Sequence, residues 1–577
     1  MKKLLVYLSP YKKETVISPL FKLLEAIFDL LVPIVVKQII DVGIENRDKP
    51  YIWGMCAILV LFALIGLTCS FIAQYFAAKA AVGFSTGLRR DLFGKIQKFS
   101  YSQTDSVGTS TLITRMTTDV NQVQSAVNLF LRLFLRSPII VLGAMVMAFT
   151  VSPRNAWIFV VIIPLLSVVV FSIMIKSIPL YKKVQKNLDR VTSVTRENLS
   201  GVRVIRAFRK EEDEIKRFEC ANNDHYHIQN FVGKISALIN PLTLILVNLG
   251  VILILLFGAK DVDTGNLTMG EVVALTNYMA QILVELVKFA NTIFTINKAL
   301  ACANRIETVL ETNVDVETVE SDCEDPSVAD TSVCFQNVGL TYAGDSEPSL
   351  SGISFRVPKG ATVGIIGSTG SGKTSLINLI PRFYDATEGK IFVNGVDVRS
   401  YQTEDLRDRI AIVPQKATLF RGTVRSNLLW GNEDATEEEL WEALEAAQAK
   451  EFIQAKEGAL DAPVAQNGRN FSGGQRQRLT IARALVRKAE ILILDDSSSA
   501  LDYATDAALR QALKTLPYDP TVFLISQRTS SIQHADMIVV LEDGATVGIG
   551  THEELLRTCE VYREIYDSQF RKGGENA

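Results

Sequence analysis

The sequence predicts a protein of two parts: an α-helical membrane domain of six spanning helices, followed by an α/β domain built around a phosphate-binding loop. Of its 577 residues, 48% are hydrophobic, which is a high share for a soluble protein. Long apolar stretches fill the chain to about residue 300, and a Gly-x-x-x-x-Gly-Lys-Thr motif lies in the more polar remainder. We therefore divide the chain into a membrane domain at 1–310, a linker at 311–330 and the α/β domain at 331–577.

Six stretches are apolar and long enough to cross a membrane. About 20 helical residues span the roughly 30 Å of hydrocarbon in a bilayer. The first stretch carries Lys22, Glu25 and Asp29 and is the weakest of the six, but its flanks and the even number that it completes support it. The predicted spans are 15–40, 51–79, 126–151, 155–178, 235–259 and 269–297.

Lysine and arginine are concentrated in two long segments between predicted spans, at 81–125 and 179–234, and are sparse in the loops of the opposite side. Basic residues are retained on the cytoplasmic side of a membrane. We therefore expect a multi-pass protein of the cytoplasmic (inner) membrane, with both termini and the α/β domain in the cytoplasm.

Several ionisable side chains fall within the predicted spans, where they are costly and often functional. One interpretation places them around a wet cavity that binds substrate. In the other interpretation, the basic side chains extend to the inner membrane–water interface or pair with acidic side chains on neighbouring helices. Asp41, at the outer end of the first span, either pairs across an external gate or is a solvated loop acid. The charged residues are Lys22, Glu25, Asp29, Arg132, Arg136, Glu285 and Lys288.

The glycine-rich motif has the surroundings of a P-loop. An apolar run at 361–366, typical of a buried parallel strand, precedes it, and a segment with helical spacing at 375–380 follows. In a P-loop, backbone N–H groups surround phosphate oxygens, Lys373 supplies a positive charge and the Thr374 hydroxyl can ligate Mg²⁺. The predicted phosphate-binding residues are Gly367, Ser368, Thr369, Gly370, Ser371, Gly372, Lys373 and Thr374.

A second anion-binding site is predicted at residues 471–475, where Phe-Ser-Gly-Gly-Gln precedes a helical segment. The free N–H groups of a helix N-terminus, together with glycines, form a nest for anionic oxygen atoms. The residues of this second site are Ser472, Gly473, Gly474 and Gln475.

These motifs and the order of the two parts resemble an ABC exporter half-transporter, with residues 471–485 similar to the signature sequence of the family and the helix behind it. The resemblance implies the ABC exporter fold, in which the spans precede an α/β P-loop ATPase cassette with a RecA-like core and an α-helical subdomain. It also implies ATP hydrolysis coupled to export, with ATP and Mg²⁺ as cofactors. Each ATP would lie between the P-loop of one cassette and the signature of another.

The same resemblance implies roles for further residues. Asp495, at the end of a strand-like run, is expected to hold Mg²⁺ beside Thr374, and Gln415 resembles the Q-loop glutamine that touches the metal. Tyr342 stands where the family has an aromatic ring against adenine. Asp502 lies in a segment similar to the D-loop, which crosses the interface between cassettes.

Short coupling helices are expected near residues 110–119 and 201–208. In exporters of this type such helices rest on the cassettes, so that cassette closure tilts the spans from an inward-open to an outward-open state. Taken by themselves, both segments are equally typical of ordinary amphipathic helix.

Two positions depart from the family pattern in the predicted reaction centre. The catalytic glutamate is replaced by Asp496, and the switch histidine by Gln527, which can hydrogen-bond a phosphate but cannot carry a proton. One interpretation is a working site with tolerated variants. We favour a site that binds ATP and hydrolyses it slowly. Because the second nest is intact, the sequence predicts a heterodimer whose companion half-transporter carries the glutamate and histidine, similar to heterodimeric bacterial multidrug-type exporters.

Composition disfavours several other classes. A formal net charge of −3 gives no basic field for nucleic acid, and seven scattered cysteines without a Cys-x-x-Cys pair predict neither a disulfide framework nor a zinc site. The expected partners are the lipid bilayer, a second half-transporter and a hydrophobic or amphipathic small molecule, lipid or peptide. Two alternatives remain: an ATP-gated regulatory or channel-like membrane protein, and a homodimeric exporter with slow ATPase.

Overall fold

The computed structural model describes residues 3–312, 330–342 and 345–570. The chain forms two compact units, of which the first comprises Met1–Gln97 and Ser110–Thr312, and the second Lys98–Thr109 and Asn313–Ala577. Most of the predicted linker at 311–330 lies outside the described residues. The predicted domain boundaries therefore stay a prediction.

Helices and turns make up the described part of the first unit. Five helices are long and apolar enough to cross a membrane, and they contain five of the six predicted spans: Lys49–Gln97, Thr109–Val151, Pro153–Ser200, Glu211–Asp263 and Met269–Glu311. Each is far longer than the roughly 20 residues that a span requires. The shorter helical segments are Lys3–Tyr11, Ile39–Ile44 and Val202–Ala207, the last within a region where a short helix was predicted.

The helix Lys12–Gln38 contains the first predicted span. Its 27 residues give a length of about 40 Å, which exceeds the hydrocarbon thickness of a bilayer. Its charged side chains make it more polar than the other five, which alone meet the criteria for a span among the described residues. The buried residues recur every three or four positions, so one face packs inside the unit. The count of six spans stays a prediction.

Buried charges in the first unit pair with one another. Nη1 of Arg136 donates to Oε1 of Glu285 at 2.7 Å, and Nη2 donates to Oδ2 of Asp29 at 2.8 Å. Lys22 pairs with Glu25 on the same helix at 2.6 Å. The structure therefore supports the interpretation that opposite charges pair. We call this set the Arg136 cluster: Lys22, Glu25, Asp29, Arg136, Glu285 and Lys288.

Arg132 differs from the other predicted charges. Its guanidinium donates to the side-chain oxygen of Asn128 at 3.3 Å, and it has no ion pair within the described part of the chain. Arg132 lies in the π-helical turn Phe130–Phe134, directly before the helical stretch that begins with Arg136.

Asp41 has a role that neither sequence interpretation included. Its carboxylate accepts hydrogen bonds from the Thr268 hydroxyl at 2.6 Å and from the Gly270 backbone N–H at 2.7 Å. Both donors belong to the start of the helix Met269–Glu311, where unpaired N–H groups and the helix dipole favour a negative charge. Asp41 therefore caps a helix that begins far away in the sequence.

We expect Asp41→Ala to lower the free energy of unfolding of the detergent-solubilised protein by about 1–2 kcal/mol, the usual cost of a lost helix cap. Thermal unfolding of the purified protein measures this change. The control is Glu45→Ala, which removes an exposed carboxylate that makes no hydrogen bond or ion pair with any described residue. Equal stability of the two variants would contradict the capping role.

A separate short helix precedes the segment 110–119, where a coupling helix is expected. Residues 110–119 continue into the long helix Thr109–Val151, whereas the separate short helix is Tyr101–Val107. Ser100 begins this helix through a reciprocal capping box, and Gly108, with φ of 81°, ends it. These two caps determine where the separate short helix lies, and the coupling role expected near 110–119 stays a prediction.

The helix Tyr101–Val107 packs within the second unit. The ring of Tyr101 stacks on Phe383 with centroids 4.3 Å apart, and the Tyr384 hydroxyl donates to Asp105 at 2.7 Å. One apolar and one polar contact thus fix the position of the helix Tyr101–Val107 within the second unit.

The second unit contains three sheets. Its strands are β1 Thr331–Leu340, β2 Leu350–Pro358, β3 Thr362–Gly367, β4 Glu388–Val393, β5 Val396–Asp397, β6 Ile410–Val413, β7 Gly422–Thr423, β8 Pro463–Val464, β9 Ile491–Asp495, β10 Thr521–Ile525, β11 Met537–Glu542 and β12 Ala545–Gly550. The largest sheet has the order β12-β11-β3-β10-β9-β6 and is parallel except for β12. A second, antiparallel sheet has the order β2-β1-β4-β5, and β7 pairs with β8.

Three larger hydrophobic clusters lie in the described part of the second unit. One lies between the two larger sheets, and another joins the helices between β7 and β9 to the far end of the parallel sheet. The third packs strand β11 against the helices His552–Thr558 and Glu560–Phe570. The observed architecture is that of an α/β domain with a mainly helical insertion. Its α-helices are Lys373–Leu379, Thr403–Asp408, Val424–Leu428, Glu437–Ala446, Lys450–Gln454, Gly473–Val486, Tyr503–Lys514, Thr529–Ile532, His552–Thr558 and Glu560–Phe570.

Candidate active site

The candidate site lies at the carboxyl edge of the parallel sheet. Strand β3 leads into the P-loop, β9 ends at Asp495 and β10 ends at Ile525. Because parallel strands end at the same edge, residues distant in the sequence meet there. A cavity of about 890 Å³ opens at this edge. The predicted site residues in its wall are Thr369, Gly370, Gly372, Lys373, Thr374, Gln415, Asp495, Asp496 and Gln527.

Two glycines give the P-loop its path. Gly372 has φ of 90°, a left-handed conformation that glycine adopts easily, and it immediately precedes the helix Lys373–Leu379. At Gly367 a Cβ atom would lie 2.1 Å from the backbone oxygen of Leu541, so no larger residue fits. The loop therefore leads directly from strand β3 into a helix whose unpaired N–H groups suit phosphate oxygens.

Lys373 is the cation of the P-loop. Its ammonium donates to the backbone oxygens of Gly367 at 2.9 Å and Ser368 at 2.5 Å, and to the Ser371 hydroxyl at 3.3 Å. Burial lowers the pKa of Lys373, and the neighbouring carboxylates act in the opposite direction. A partly desolvated ammonium interacts strongly with an anion. The loop therefore fits a phosphate group.

The candidate metal ligands meet across the P-loop. The Thr374 hydroxyl donates to Oδ2 of Asp495 at 3.2 Å, and burial raises the pKa of this carboxyl group, with the negative charge of Asp496 adding to the effect. A hydroxyl and a carboxylate are hard oxygen ligands of the kind that Mg²⁺ prefers. Gln415 lies in the same cavity wall. These residues fit a magnesium ion that enters with ATP.

Asp496 and Gln527 lie in one cavity wall, as their predicted roles in one reaction centre require. Asp496 has φ of 45°, a left-handed conformation that aspartate tolerates better than most residues. Its Oδ2 accepts a hydrogen bond from the side-chain amide of Gln415 at 3.2 Å. The carboxylate is therefore already in contact with a polar group of the cavity.

Tyr342 lies beside the P-loop but outside the cavity wall. Its hydroxyl donates to the Ser375 hydroxyl at 2.8 Å, and its ring meets Tyr384 edge-on at 5.1 Å. Tyr342 is therefore held against the helix that follows the P-loop. Its contact with adenine stays a prediction.

The second predicted nest lies away from the cavity of the same chain. Ser472 accepts from the backbone N–H of Gln475, whose side chain accepts in return from the Ser472 N–H, so a capping box begins the helix Gly473–Val486. A Cβ atom added to Gly473 would meet no atom within 4 Å. Within the described residues, neither this nest nor Asp502 lines the P-loop cavity. Asp502 instead accepts from the Thr505 N–H at 2.9 Å and caps the next helix.

Three parts of the site were missed by sequence reasoning. The loop at 345–349 and the Asp543-Gly544 turn complete the cavity wall. The Asp-Gly pair between two strands is a recognisable turn signal, but nothing local indicates that this turn faces the P-loop. Gln569, in the last helix, hydrogen-bonds the segment that carries Gln527.

Comparison with known proteins agrees with this geometry. Residues 15–286 match the family described as ABC transporter transmembrane region, and residues 350–499 match the family described as ABC transporter. YfiB of Bacillus subtilis strain 168, described as an uncharacterized ABC transporter ATP-binding protein, is 36% identical over 580 residues that cover 100% of each chain. The chain belongs to the ABC transporter family.

Two further proteins are similar to this ABC transporter over nearly its whole length. The ATP-dependent lipid A-core flippase of Escherichia coli strain K12 is 31% identical over 566 residues, which cover 98% of this chain and 96% of the flippase. A solved structure of a bacterial Atm1-family ABC exporter with ATP bound aligns over 98% of this chain and 99% of that chain, with a TM-score of 0.82. At 23% identity, the second likeness establishes the shared fold alone.

The protein is an ABC exporter half-transporter with an N-terminal membrane domain and a C-terminal ATPase domain. It is a membrane-embedded, ATP-driven exporter, and its cassette is an ABC transporter ATPase. The predicted fold class is confirmed at this level, as helical membrane domain and nucleotide-binding domain.

Proposed function

We propose that this chain is the degenerate-site subunit of a heterodimeric exporter. The observation that carries the proposal is the presence of both Asp496 and Gln527 in the wall of the P-loop cavity. A carboxylate one methylene shorter than glutamate lies about 1.5 Å further from the attacking water, and a displacement near 1 Å can cost on the order of 10²-fold in rate. Gln527 would contact the terminal phosphate through its amide without serving as an acid or base. This site would bind ATP and hydrolyse it slowly.

The exposed second nest supports a partner subunit. Its capping box is formed, Gly473 has open space at its Cβ position, and within the described residues the nest lies outside the cavity of its own chain. In the proposed heterodimer, the nest closes on ATP held by the P-loop of the companion. That companion carries glutamate and histidine, so the fast site combines the P-loop of the companion with Ser472 of this chain.

A second surface also supports a partner. The tip around the short helix Val202–Ala207 exposes large apolar side chains: Leu199 is 74% exposed, Val204 60% and Phe208 72%. Exposed apolar groups at the end of a polar helical extension commonly mark an interaction site. We propose that this tip rests on the cassette of the companion, whereas Tyr101–Val107 rests on the cassette of this chain.

The proposed substrate is an amphipathic small molecule, lipid or peptide. A relative that acts as a lipid A-core flippase supports a lipid-like molecule. We further propose six spans with both termini in the cytoplasm, because the basic residues are concentrated in the two long segments between spans.

The experiment that tests the heterodimer compares ATP turnover of the purified chain, alone and co-expressed with a half-transporter that carries the glutamate. We expect the pair to turn over on the order of 10²-fold faster than this chain alone, because only the pair contains a correctly placed base. Replacing the glutamate of the companion by glutamine should reduce turnover of the pair to the slow rate of this chain's own site.

Two variants of this chain make the test specific. In the pair, Asp496→Asn should leave most of the turnover, because the fast site does not use this acid. Ser472→Arg should abolish turnover, because it fills the nest of the fast site. Brisk ATPase by this chain alone would instead favour a homodimeric exporter with a working site.

A further inference from the structure

One side chain of the last described helix, Glu560–Phe570, hydrogen-bonds the segment that carries Gln527. Oε1 of Gln569 accepts from the backbone N–H and from the hydroxyl of Thr529, both at 2.9 Å. Its Nε2 donates to the backbone oxygen of Gln527 at 2.7 Å. Both ends of one amide are therefore bonded to the same short stretch. We call residues 526–529 the switch segment.

Other contacts fix the switch segment on the opposite side. The Ser526 N–H donates to the Ile365 oxygen of strand β3 at 3.2 Å, and the Ser526 hydroxyl accepts from the Arg528 N–H at 3.0 Å. Thr529 is fully buried. The side chain of Gln527, by contrast, is exposed in the cavity wall and has no hydrogen bond to another described residue.

The backbone of Gln527 is held by hydrogen bonds of the switch segment, whereas its side chain is free to contact a molecule in the cavity. The direction of an exposed side chain depends on its backbone position, and here that position is fixed by β3 in front and by Gln569 behind. Gln569 therefore bonds the backbone of Gln527, whose own side chain is exposed in the cavity wall.

We propose that Gln569 is a positioning residue that holds the amide of Gln527 toward the terminal phosphate of ATP, and that this site thereby distinguishes ATP from ADP. The inference rests on the contact between Gln527 and the terminal phosphate proposed above, but not on the heterodimer. ADP lacks the phosphate that Gln527 reaches. Only the affinity for ATP should therefore depend on Gln569.

The test measures the dissociation constants of Mg²⁺-ATP and Mg²⁺-ADP for the full-length purified chain, by competition with a fluorescent ADP analogue. Gln569→Leu keeps the size of the side chain and removes its polar atoms. We expect it to weaken ATP binding about fivefold, the usual effect of one lost hydrogen bond, and to leave ADP binding unchanged. The matched control is Gln533→Leu, which should change neither constant, because the Gln533 side chain hydrogen-bonds only the exposed His534 among the described residues.

A double-mutant cycle separates positioning from ordinary packing. Gln527→Ala should weaken ATP binding to the same extent, and Gln569→Leu should add nothing in that background, because both act through one amide. Equal losses for ATP and ADP, or additive losses for ATP, would overturn the positioning role. An unchanged ATP affinity in Gln527→Ala would instead refute the phosphate contact on which the inference rests.

A second variant keeps the inference testable if Gln569→Leu does not fold. In Gln569→Glu the carboxylate can still accept the two hydrogen bonds from Thr529. It has no N–H group to donate to the Gln527 backbone oxygen. We expect slow hydrogen exchange of the Thr529 amide, as in the unmodified chain, together with weakened ATP binding and unchanged ADP binding. Unweakened ATP binding in this variant would overturn the proposal.

Discussion

Replacing Asp496 with glutamate is expected to raise the ATP turnover of the purified chain by on the order of 10²-fold. The added methylene moves the carboxylate about 1.5 Å toward the attacking water, where it can accept the proton. Phosphate release from proteoliposomes that contain the chain alone measures this change. Adding Gln527→His in the same chain should raise turnover further, because histidine at that position can carry charge.

The surroundings of Asp496 limit the increase in ATP turnover expected for Asp496→Glu. Glutamate adopts the left-handed backbone conformation at φ 45° less readily than aspartate, at a cost of roughly 1–2 kcal/mol. The side chain must also leave the Gln415 amide, which now donates to Asp496 at 3.2 Å. We therefore expect Asp496→Glu to be slightly less stable and much faster than the unmodified chain.

Asp496→Asn is the control for this prediction. Asparagine has the size of aspartate but is not a base, so the slow turnover of the chain alone should disappear. If Asp496→Glu leaves turnover unchanged while ATP still binds, then the length of the carboxylate side chain does not limit the rate.

Arg136→Met is expected to lower the free energy of unfolding by about 3 kcal/mol, because it leaves Asp29 without an ion pair among the described residues and Glu285 with Lys288 as its remaining cation. The Arg136 side chain is 11% exposed and that of Glu285 is 6% exposed, whereas that of Asp29 is 43% exposed. Thermal unfolding in detergent measures the loss. Arg132→Met is the matched control, since Arg132 bonds only to the amide oxygen of Asn128 and should cost far less.

Neutralising the partners should restore stability to Arg136→Met. Adding Asp29→Asn and Glu285→Gln removes the uncompensated charges, and a neutral set of similar volume is often as stable as a buried ion pair. If the combined variant is as unstable as Arg136→Met, then packing of the arginine side chain, rather than charge, accounts for the loss.

Local pattern made the P-loop predictable. Its glycines, Lys373 and Thr374 are consecutive, and the strand before and the helix after are set by periodicity over a few residues. The same holds for the capping box at Ser472. By contrast, the separate helix Tyr101–Val107 was not predicted, because two single-residue caps decide its position and the surrounding sequence is helical on both sides.

The sequence by itself determined the order of the two domains, most of the spans, the phosphate-binding loop and the two unusual residues at the reaction centre. Only the tertiary structure decided which groups meet: Asp41 with the helix that starts at Met269, Arg136 with acids on two other helices, and Gln569 with the switch segment. The reason is physical. A motif is specified by neighbouring residues, whereas a hydrogen bond between residues about 40 to 230 positions apart depends on how whole helices and strands pack.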